Sequence, residues 1–419
     1  MTVEKLRAVY DALTSCNPSI SFQRGFLGEG QLGFSPLDKV VEWPYIVDGK
    51  NLDNYVFAFG LGLPDARRML ADYLGLQSPE QVIVYEQTAR AVIYDILMRG
   101  YMKGFKPYPA WHTDPDGASV LLPVPGYDNH YQICEDIGLS MIPVDMRDTG
   151  PDMEQVEELI KNPRVKCMVI VPRYHNPLAV TYSPKVMRRL GRMKPAALGF
   201  RLIVDYAYGE CHFTAFPDRL LNIMDECQAA GNPDMPLFAA SMSKVTTPGQ
   251  SIACVAGSVA NMNEMAPFVR ARTSNPRLIE QYKHVSFFGG KAANISKFMQ
   301  ETHVPYLSPK MKLVDEVLME KMGGHSADFA WRLPDGAYSF PLKFGKPCAL
   351  RVRELAGEKG VILHDPREMY PYGDDRENNK LRIMPSAVDL EDITAGMWIV
   401  CACIKLALAE YDAACAGLA

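Results

Sequence analysis

Residues 167–205 contain CMVIV at 167–171, PKVMRRLGRM at 184–193 and LIVD at 202–205. The first and last of these runs are continuously apolar, which is typical of strands that are covered on both faces of a sheet. The run between them has the length and pattern of a helix. A strand, a helix and a strand in this order predict a parallel β-α-β unit.

Apolar runs of the same kind recur along the chain, at residues 82–85, 120–122, 140–144, 237–240 and 253–256. Most are separated by helical stretches, such as 153–161. This alternation predicts an α/β fold whose large domain, residues 51–300, has a mainly parallel sheet flanked by helices. We expect a smaller α/β domain from the two ends of the chain. It would combine a helix and an extended arm within residues 1–50 with residues 301–419, including a strand at 337–340 and a closing helix from 390.

Composition excludes several classes of protein. The chain has 419 residues and a net charge of −5, without a stripe of Lys and Arg that could neutralise nucleic-acid phosphates. The N-terminus has no signal-peptide core, and the apolar run 397–409 is too short to span a bilayer and is interrupted by Lys405. Ten scattered cysteines fit a reducing cytoplasm, and no second Cys/His pair accompanies Cys401 and Cys403, so no metal site is predicted.

Polar residues follow the predicted strands where each strand ends. In a parallel sheet, ligands bind beyond the carboxyl ends of the strands, so we expect these residues to converge on one edge. They are Gln87-Thr88-Ala89, Tyr127 and His130, Asn176, Asp205 with Tyr208, and Ser241 to Lys244.

The stretch Ser241-Met242-Ser243-Lys244 suits Schiff-base chemistry on pyridoxal 5′-phosphate, because a lysine at a strand end lies beside hydroxyls that could hold a phosphate. Asp205, also at a strand end, would pair with the ring nitrogen and make the ring an electron sink. Tyr208 and Asn176 could donate hydrogen bonds to the phenolic oxygen of such a cofactor.

Further assignments depend on the presence of Lys244, Asp205, Tyr208 and Asn176 at the same edge of the sheet. Tyr127 could stack on the cofactor ring, and His130 could bond the outer oxygen of Asp205. Thr88, with Gln87 and Ala89 beside it, would place an amide and a hydroxyl on the phosphate. Arg382 could bind an α-carboxylate with its forked guanidinium. Each of these residues, considered alone, also has a purely structural interpretation, such as a helix cap, a turn, a packed aromatic or a surface charge.

The pattern resembles the fold-type-I pyridoxal-phosphate aminotransferases, and within them the aspartate aminotransferase-like subgroup called type Ic. The resemblance covers nearly the whole chain. The motifs that carry it are Arg24-Gly25, Gly62-Leu63-Pro64, Pro125-Gly126-Tyr127, Gly150-Pro151-Asp152-Met153, Asn176-Pro177, Asp205 to Tyr208, Ser241 to Lys244, and Leu381-Arg382-Ile383 with Pro385.

This resemblance implies a homodimeric enzyme that moves an amino group from an L-amino acid to a 2-oxo acid by a ping-pong mechanism. By it, Lys244 forms the Schiff base and moves the proton between the substrate α-carbon and cofactor C4′. The catalytic set is Lys244, Asp205 and Tyr208. Ser241 and Ser243 join Thr88 on the phosphate. The substrate-binding residues are Gly25, Asn176 and Arg382, and the α-carboxylate is received by Arg382 and the Gly25 backbone.

The sequence departs from the family pattern at several points. Asn176-Pro177-Leu178-Ala179 replaces Asn-Pro-Thr-Gly, and no arginine follows Lys244 within 248–251 to bind the phosphate. Phe59 stands where an aromatic hydroxyl would reach the partner's phosphate. No second arginine for an acidic side chain is identified, so aspartate is only the family default. A pyridoxal-dependent lyase or decarboxylase and a non-catalytic cofactor-binding regulator remain alternatives.

Overall fold

The computed structural model describes residues 2–25, 27–39, 46–47, 50–51, 60–273 and 276–417. Its α-helices are α1 Val3–Asp11, α2 Glu29–Leu32, α3 Pro64–Tyr73, α4 Ala89–Lys103, α5 Asp128–Ile137, α6 Met153–Leu159, α7 Pro184–Gly191, α8 Ile223–Ala229, α9 Val259–Arg272, α10 Leu278–Phe288, α11 Ala292–Phe298, α12 Val304–Met322, α13 Ala349–Glu358 and α14 Leu390–Cys415. Its strands are β1 Ile20–Ser21, β2 Ile46–Val47, β3 Lys50–Asn51, β4 Val82–Glu86, β5 Ser119–Val124, β6 Ser140–Arg147, β7 Gly150–Pro151, β8 Val165–Ile170, β9 Arg201–Asp205, β10 Pro236–Ser241, β11 Ala253–Gly257, β12 Phe329–Trp331, β13 Phe340–Phe344, β14 Val361–Ile362 and β15 Lys380–Ile383.

The central sheet has eight strands in the order β4-β11-β10-β9-β8-β5-β6-β7. The pairs from β10 through β9, β8 and β5 to β6 are parallel. β11 runs antiparallel to both of its neighbours, β10 and β4, so β4 points the same way as β10. The prediction of a mainly parallel sheet flanked by helices is therefore confirmed.

The sheet separates two apolar cores, which explains why its central strands contain continuous apolar runs. Val82 and Val84 of β4 pack into one core, whereas Ile83 packs into the other. Leu202 and Ile203 of β9 divide in the same way. Successive side chains of a strand point to opposite faces, so a sheet covered on both faces needs apolar residues at both registers.

A third apolar core joins the two ends of the chain. Leu6, Tyr10 and Phe22 are buried there among side chains of residues 311–407. β1 pairs in parallel with β14, while β12, β13 and β15 form a separate antiparallel sheet. The division of the chain at residues 50 and 300 stays a prediction.

Two predicted elements differ from the structure. The first helix ends at Asp11 instead of near residue 20, because the following backbone pairs elsewhere: Cys16 N donates to Lys359 O at 2.9 Å. The strand predicted at 337–340 is wrong. Ala337 has a positive φ of 68°, its amide donates to Cys211 O, and β13 begins only at Phe340.

The apolar run 397–409 belongs to a longer element than the sequence suggested. α14 has 26 residues and is long and apolar enough to cross a membrane by length and composition, which corrects the view that the segment is too short. Ile393, Met397 and Val400 are buried in the third core, where α14 packs against α1, α12 and α13. Its apolar character therefore has an explanation in the packing of the protein itself.

Two helical glycines provide a test of this packing. A Cβ added at Gly396 of α14 would lie 2.7 Å from Phe22 Cε2, whereas at Gly357 of α13 it would meet nothing within 4 Å. We expect Gly396→Ala to lower the free energy of unfolding by about 1–3 kcal/mol through overpacking. The matched Gly357→Ala should raise it by up to about 1 kcal/mol, since Ala is the better helix former. Urea unfolding of both variants measures the signs; stabilisation by both would mean that Phe22 does not pack on α14.

Candidate active site

The carboxyl ends of the parallel strands surround a cavity of about 220 Å³. The loops after β4, β5, β8, β9 and β10 contribute side chains to it, together with the arm at residues 24–25 and β15. The predicted site residues that line it are Gly25, Thr88, Ala89, Tyr127, Asn176, Asp205, Tyr208, Ser241, Ser243, Lys244 and Arg382. Gln87 and His130 do not line it, and Phe59 lies outside the described residues.

Lys244 carries the amine of the cavity. Its Nζ donates a hydrogen bond of 2.5 Å to Gly25 O and lies 5.3 Å from the centre of the Tyr338 ring. The pKa of Lys244 is lowered to about 8, chiefly by burial; Arg382 acts in the same direction, whereas Cys211 and Asp205 oppose it. The arm can approach the amine because residue 25 is glycine: a Cβ there would lie 2.8 Å from Met384 Sδ.

The two carboxylate oxygens of Asp205 differ in their hydrogen bonding among the described residues. His130 Nε2 donates a hydrogen bond of 3.0 Å to Asp205 Oδ2, which is the contact expected from the sequence. The rings of Tyr127 and His130 are nearly perpendicular, with their centres 5.2 Å apart. The Oδ1 atom is buried and has no hydrogen-bond partner among the described residues. A buried carboxylate oxygen without a partner is costly, so this atom is suited to a proton-donating ligand group.

The Asn176 amide has a fixed orientation. Arg382 donates from its guanidinium to Asn176 Oδ1 at 2.8 Å, and Ser339 Oγ donates to the same oxygen at 3.2 Å. Because both acceptor positions of Oδ1 are occupied, the Nδ2 hydrogens remain for a ligand. Arg382 is 2% exposed, and burial lowers its pKa. Ser339 was not identified from the sequence, since an isolated serine gives no signal.

The hydroxyl groups predicted to bind phosphate, those of Thr88, Ser241 and Ser243, line the same cavity. Ser241 Oγ and Ser243 Oγ are 2.8 Å apart. Thr88 caps α4, its Oγ1 accepting from Ala91 N at 3.3 Å. Gln87 turns away from the cavity, because its Nε2 donates to Pro248 O at 2.8 Å and so joins the loop after β4 to the loop after Lys244.

Tyr208 is buried at the same edge, next to Tyr338, with ring centres 5.8 Å apart. Burial raises the pKa of Tyr208 well above its usual value. Its phenol is therefore neutral at physiological pH and can act as a hydrogen-bond donor.

Several lining residues were missed by the sequence analysis. They are Arg24, Arg90, Asp128, Asn129, Val171, Ala207 and Met384. All except Val171 lie within two residues of a predicted site residue, so adjacency was the only available signal for them, and Val171 directly follows β8. Arg24 and Arg90 matter most, because they add two cationic groups to the cavity.

A cluster of potential ligand atoms lies beside the cavity. Oxygens of Asp128 and Glu368 and a ring nitrogen of His364 are within 4.8 Å of one another. Burial, together with the positive charges of Arg382 and Arg24, lowers the pKa of His364 to about 3. The surrounding arginines make this region unfavourable for an added cation.

Comparisons with known proteins agree over the whole chain. A family model described as aspartate amino-transferase matches residues 2–415. The aspartate aminotransferase of Corynebacterium glutamicum is 33% identical over 98% of this chain and 94% of its own length. The crystal structure of an aspartate transaminase from the same organism has a TM-score of 0.90 and covers 98% of this chain and 96% of that one, at 33% identity.

A more distant structure shares the fold alone. LysN, the α-aminoadipate aminotransferase of Thermus thermophilus, has a TM-score of 0.74 at 18% identity, with 94% of each chain covered. That structure is complexed with N-(5′-phosphopyridoxyl)-L-leucine.

The amine of Lys244 should titrate with a midpoint near 8, because burial disfavours its charged form. Reductive methylation of the ligand-free chain, followed by mass spectrometry, should label Lys244 faster as pH rises through that value, because only the neutral amine reacts. Asp205→Asn should lower the midpoint by removing a negative charge, and Arg382→Leu should raise it by removing a positive one. A midpoint near the ordinary lysine value of about 10.4 would contradict this assignment.

Proposed function

Because this chain belongs to the aspartate aminotransferase family, we propose that it is a pyridoxal-phosphate-dependent aminotransferase that moves the amino group of an L-amino acid to a 2-oxo acid. The observation that carries the proposal is a single cavity that combines the buried amine of Lys244, whose pKa is lowered, with the Asp205 carboxylate, whose Oδ1 atom has no hydrogen-bond partner among the described residues. These are the two groups that the cofactor requires most.

The residues present fit this cofactor. Asp205 Oδ1, the buried oxygen without a partner, can accept from a protonated ring nitrogen, while His130 holds Oδ2. The free Nδ2 hydrogens of Asn176 and the neutral phenol of Tyr208 are donors for the phenolic oxygen. Ser241, Ser243 and the first turn of α4 would hold the phosphate, and Tyr127 would pack on the ring.

The bound cofactor would act as an electron sink that stabilises negative charge at the substrate α-carbon. Lys244 Nζ, neutral above about pH 8, would take the proton from that carbon and return it at the cofactor's C4′ position. Arg382 would bind the α-carboxylate with the remaining donors of its guanidinium, since one of them is committed to Asn176.

We propose an aspartate-like dicarboxylate as the amino donor. Arg24 lines the cavity and forms no ion pair with any residue in the described part of the chain. It could therefore bind a second carboxylate while Arg382 binds the first. Arg272 is not available for this role, because it forms ion pairs with Glu86 and Asp95.

We also propose a homodimer in the cytoplasm, in line with family membership. All ten cysteines are free thiols, and most are buried. This state fits a reducing compartment. Sedimentation of the purified protein tests the assembly.

The purified holoenzyme should show a visible absorption band from bound cofactor that bleaches with a subset of L-amino acids and returns with a 2-oxo acid. Lys244→Ala should abolish turnover without unfolding the chain, because it removes the only proposed proton carrier. Stoichiometric release of ammonia or carbon dioxide without net amino transfer would instead support a lyase or a decarboxylase. A wild-type protein that takes up no cofactor would contradict the proposal.

Arg382→Lys should raise KM for amino donors by about tenfold or more and leave the cofactor band in place, because a point charge replaces a bidentate fork. Arg24→Leu should raise KM for dicarboxylic donors much more than for neutral ones. Steady-state kinetics with aspartate and alanine measure the difference, and an equal change for both donors would exclude Arg24 from side-chain recognition.

A further inference from the structure

No arginine follows Lys244 within residues 248–251, where one would neutralise a cofactor phosphate. Residues Pro248–Gln250 form a short turn there, and the turn is tied to Gln87 through the Pro248 carbonyl. A phosphate group carries nearly two negative charges at neutral pH, and hydroxyls and amides alone leave that charge uncompensated. Another cation at this end of the cavity would complete the site.

Four cationic residues line the cavity: Arg24, Arg90, Lys244 and Arg382. Two of them have other roles. Lys244 donates a hydrogen bond from its amine to Gly25 O, and Arg382 donates one to Asn176 Oδ1. Arg24 belongs to the Arg382 end of the cavity, where it acts electrostatically on His364 and Glu368. Arg90 alone lies next to Thr88, in the first turn of α4.

The position of Arg90 is unfavourable without an anion. It follows the N-cap Thr88 by two residues, and the first turn of α4 has no acidic side chain. A cation at a helix N-terminus is repelled by the positive end of the helix dipole. Arg90 forms no ion pair with another described residue, and its one hydrogen bond is to the neutral Gln132 Oε1 at 3.3 Å.

The sheet register brings Arg90 and the serine hydroxyls to the same cavity. Glu86 of β4 pairs with Ala253 of β11, which pairs with Ser241 of β10. Two strand spacings, about 10 Å, therefore separate the backbones that lead into Thr88-Ala89-Arg90 and into Ser241 to Lys244. The buried, unpaired Asp205 Oδ1 independently marks this cavity as a ligand site.

We infer that Arg90 is the phosphate-binding cation of this protein and takes the part of the arginine missing after Lys244. The inference rests on the proposed function. A phosphate at the start of α4 would accept hydrogen bonds from backbone N–H groups of the helix, from the hydroxyls of Ser241 and Ser243, and from the guanidinium of Arg90. It would also relieve the repulsion between Arg90 and the helix dipole.

Binding of two aldehydes that differ only in the phosphate tests this inference. The full-length chain, stripped of cofactor, is titrated with pyridoxal 5′-phosphate and with pyridoxal, and the visible absorption band gives each Kd. For Arg90→Ala we expect at least about a tenfold weaker Kd for pyridoxal phosphate and a Kd for pyridoxal within twofold of wild type. Arg90→Lys should be intermediate, because it keeps the charge without the fork.

Arg188→Ala is the matched control, since it removes the same charge from an exposed position on α7, away from the cavity. It should bind both aldehydes as wild type does. Unchanged binding of pyridoxal phosphate by Arg90→Ala, or an equal loss of affinity for both aldehydes, would overturn the inference. If the alanine variant does not fold, the same comparison is made with Arg90→Lys. A wild-type chain that binds neither aldehyde would overturn the proposed function itself.

Discussion

The parallel hydrogen-bond register of β8, β9 and β10 is the constraint on which the site depends. Ile170 pairs with Val204, and Asp205 pairs with Ala239, so the three strands reach the same level before their loops begin. The loops can then bring Asn176, Asp205 and Lys244 into one cavity although 68 positions of sequence separate the first and the last. A slip of one residue would turn Asp205 toward the opposite face of the sheet. The apolar cores on both faces prevent such a slip, because every position of β9 and β10 is buried.

Electrostatic imbalance is the second organising property. Among the described residues, four cationic side chains line the cavity but only two carboxylates, Asp128 and Asp205. An enzyme that handles a phosphate and substrate carboxylates benefits from this excess, since anions arrive in a site already arranged to receive them. Burial lowers the pKa of the lysine amine, and Arg382 acts in the same direction, whereas Cys211 and Asp205 oppose them. One arrangement of charge therefore serves both binding and proton transfer.

Much of this architecture could be predicted because it depends on local patterns. Continuous apolar strands, helices between them and polar residues at strand ends are all visible in the sequence, and most of the predicted site residues line the cavity. What could not be predicted depends on contacts between distant segments. Ser339 meets Asn176 across 163 residues, Ala337 leaves the strand conformation through its bond to Cys211, and Arg24 reaches the cavity only because the arm crosses it. None of these contacts has a periodicity, so no local rule reveals them.

The third core, formed by both ends of the chain, has a consequence for biosynthesis. Leu6, Tyr10 and Phe22 are synthesised well before their partners on α14, which begins at Leu390. At about 5–20 residues per second, these side chains wait on the order of 20–80 seconds for their packing surface. The large domain can close its sheet in that interval, while the N-terminal segment remains an exposed apolar end. Newly made chains thus depend on a late closing step, and a truncation near the C-terminus would leave the first helix without its core.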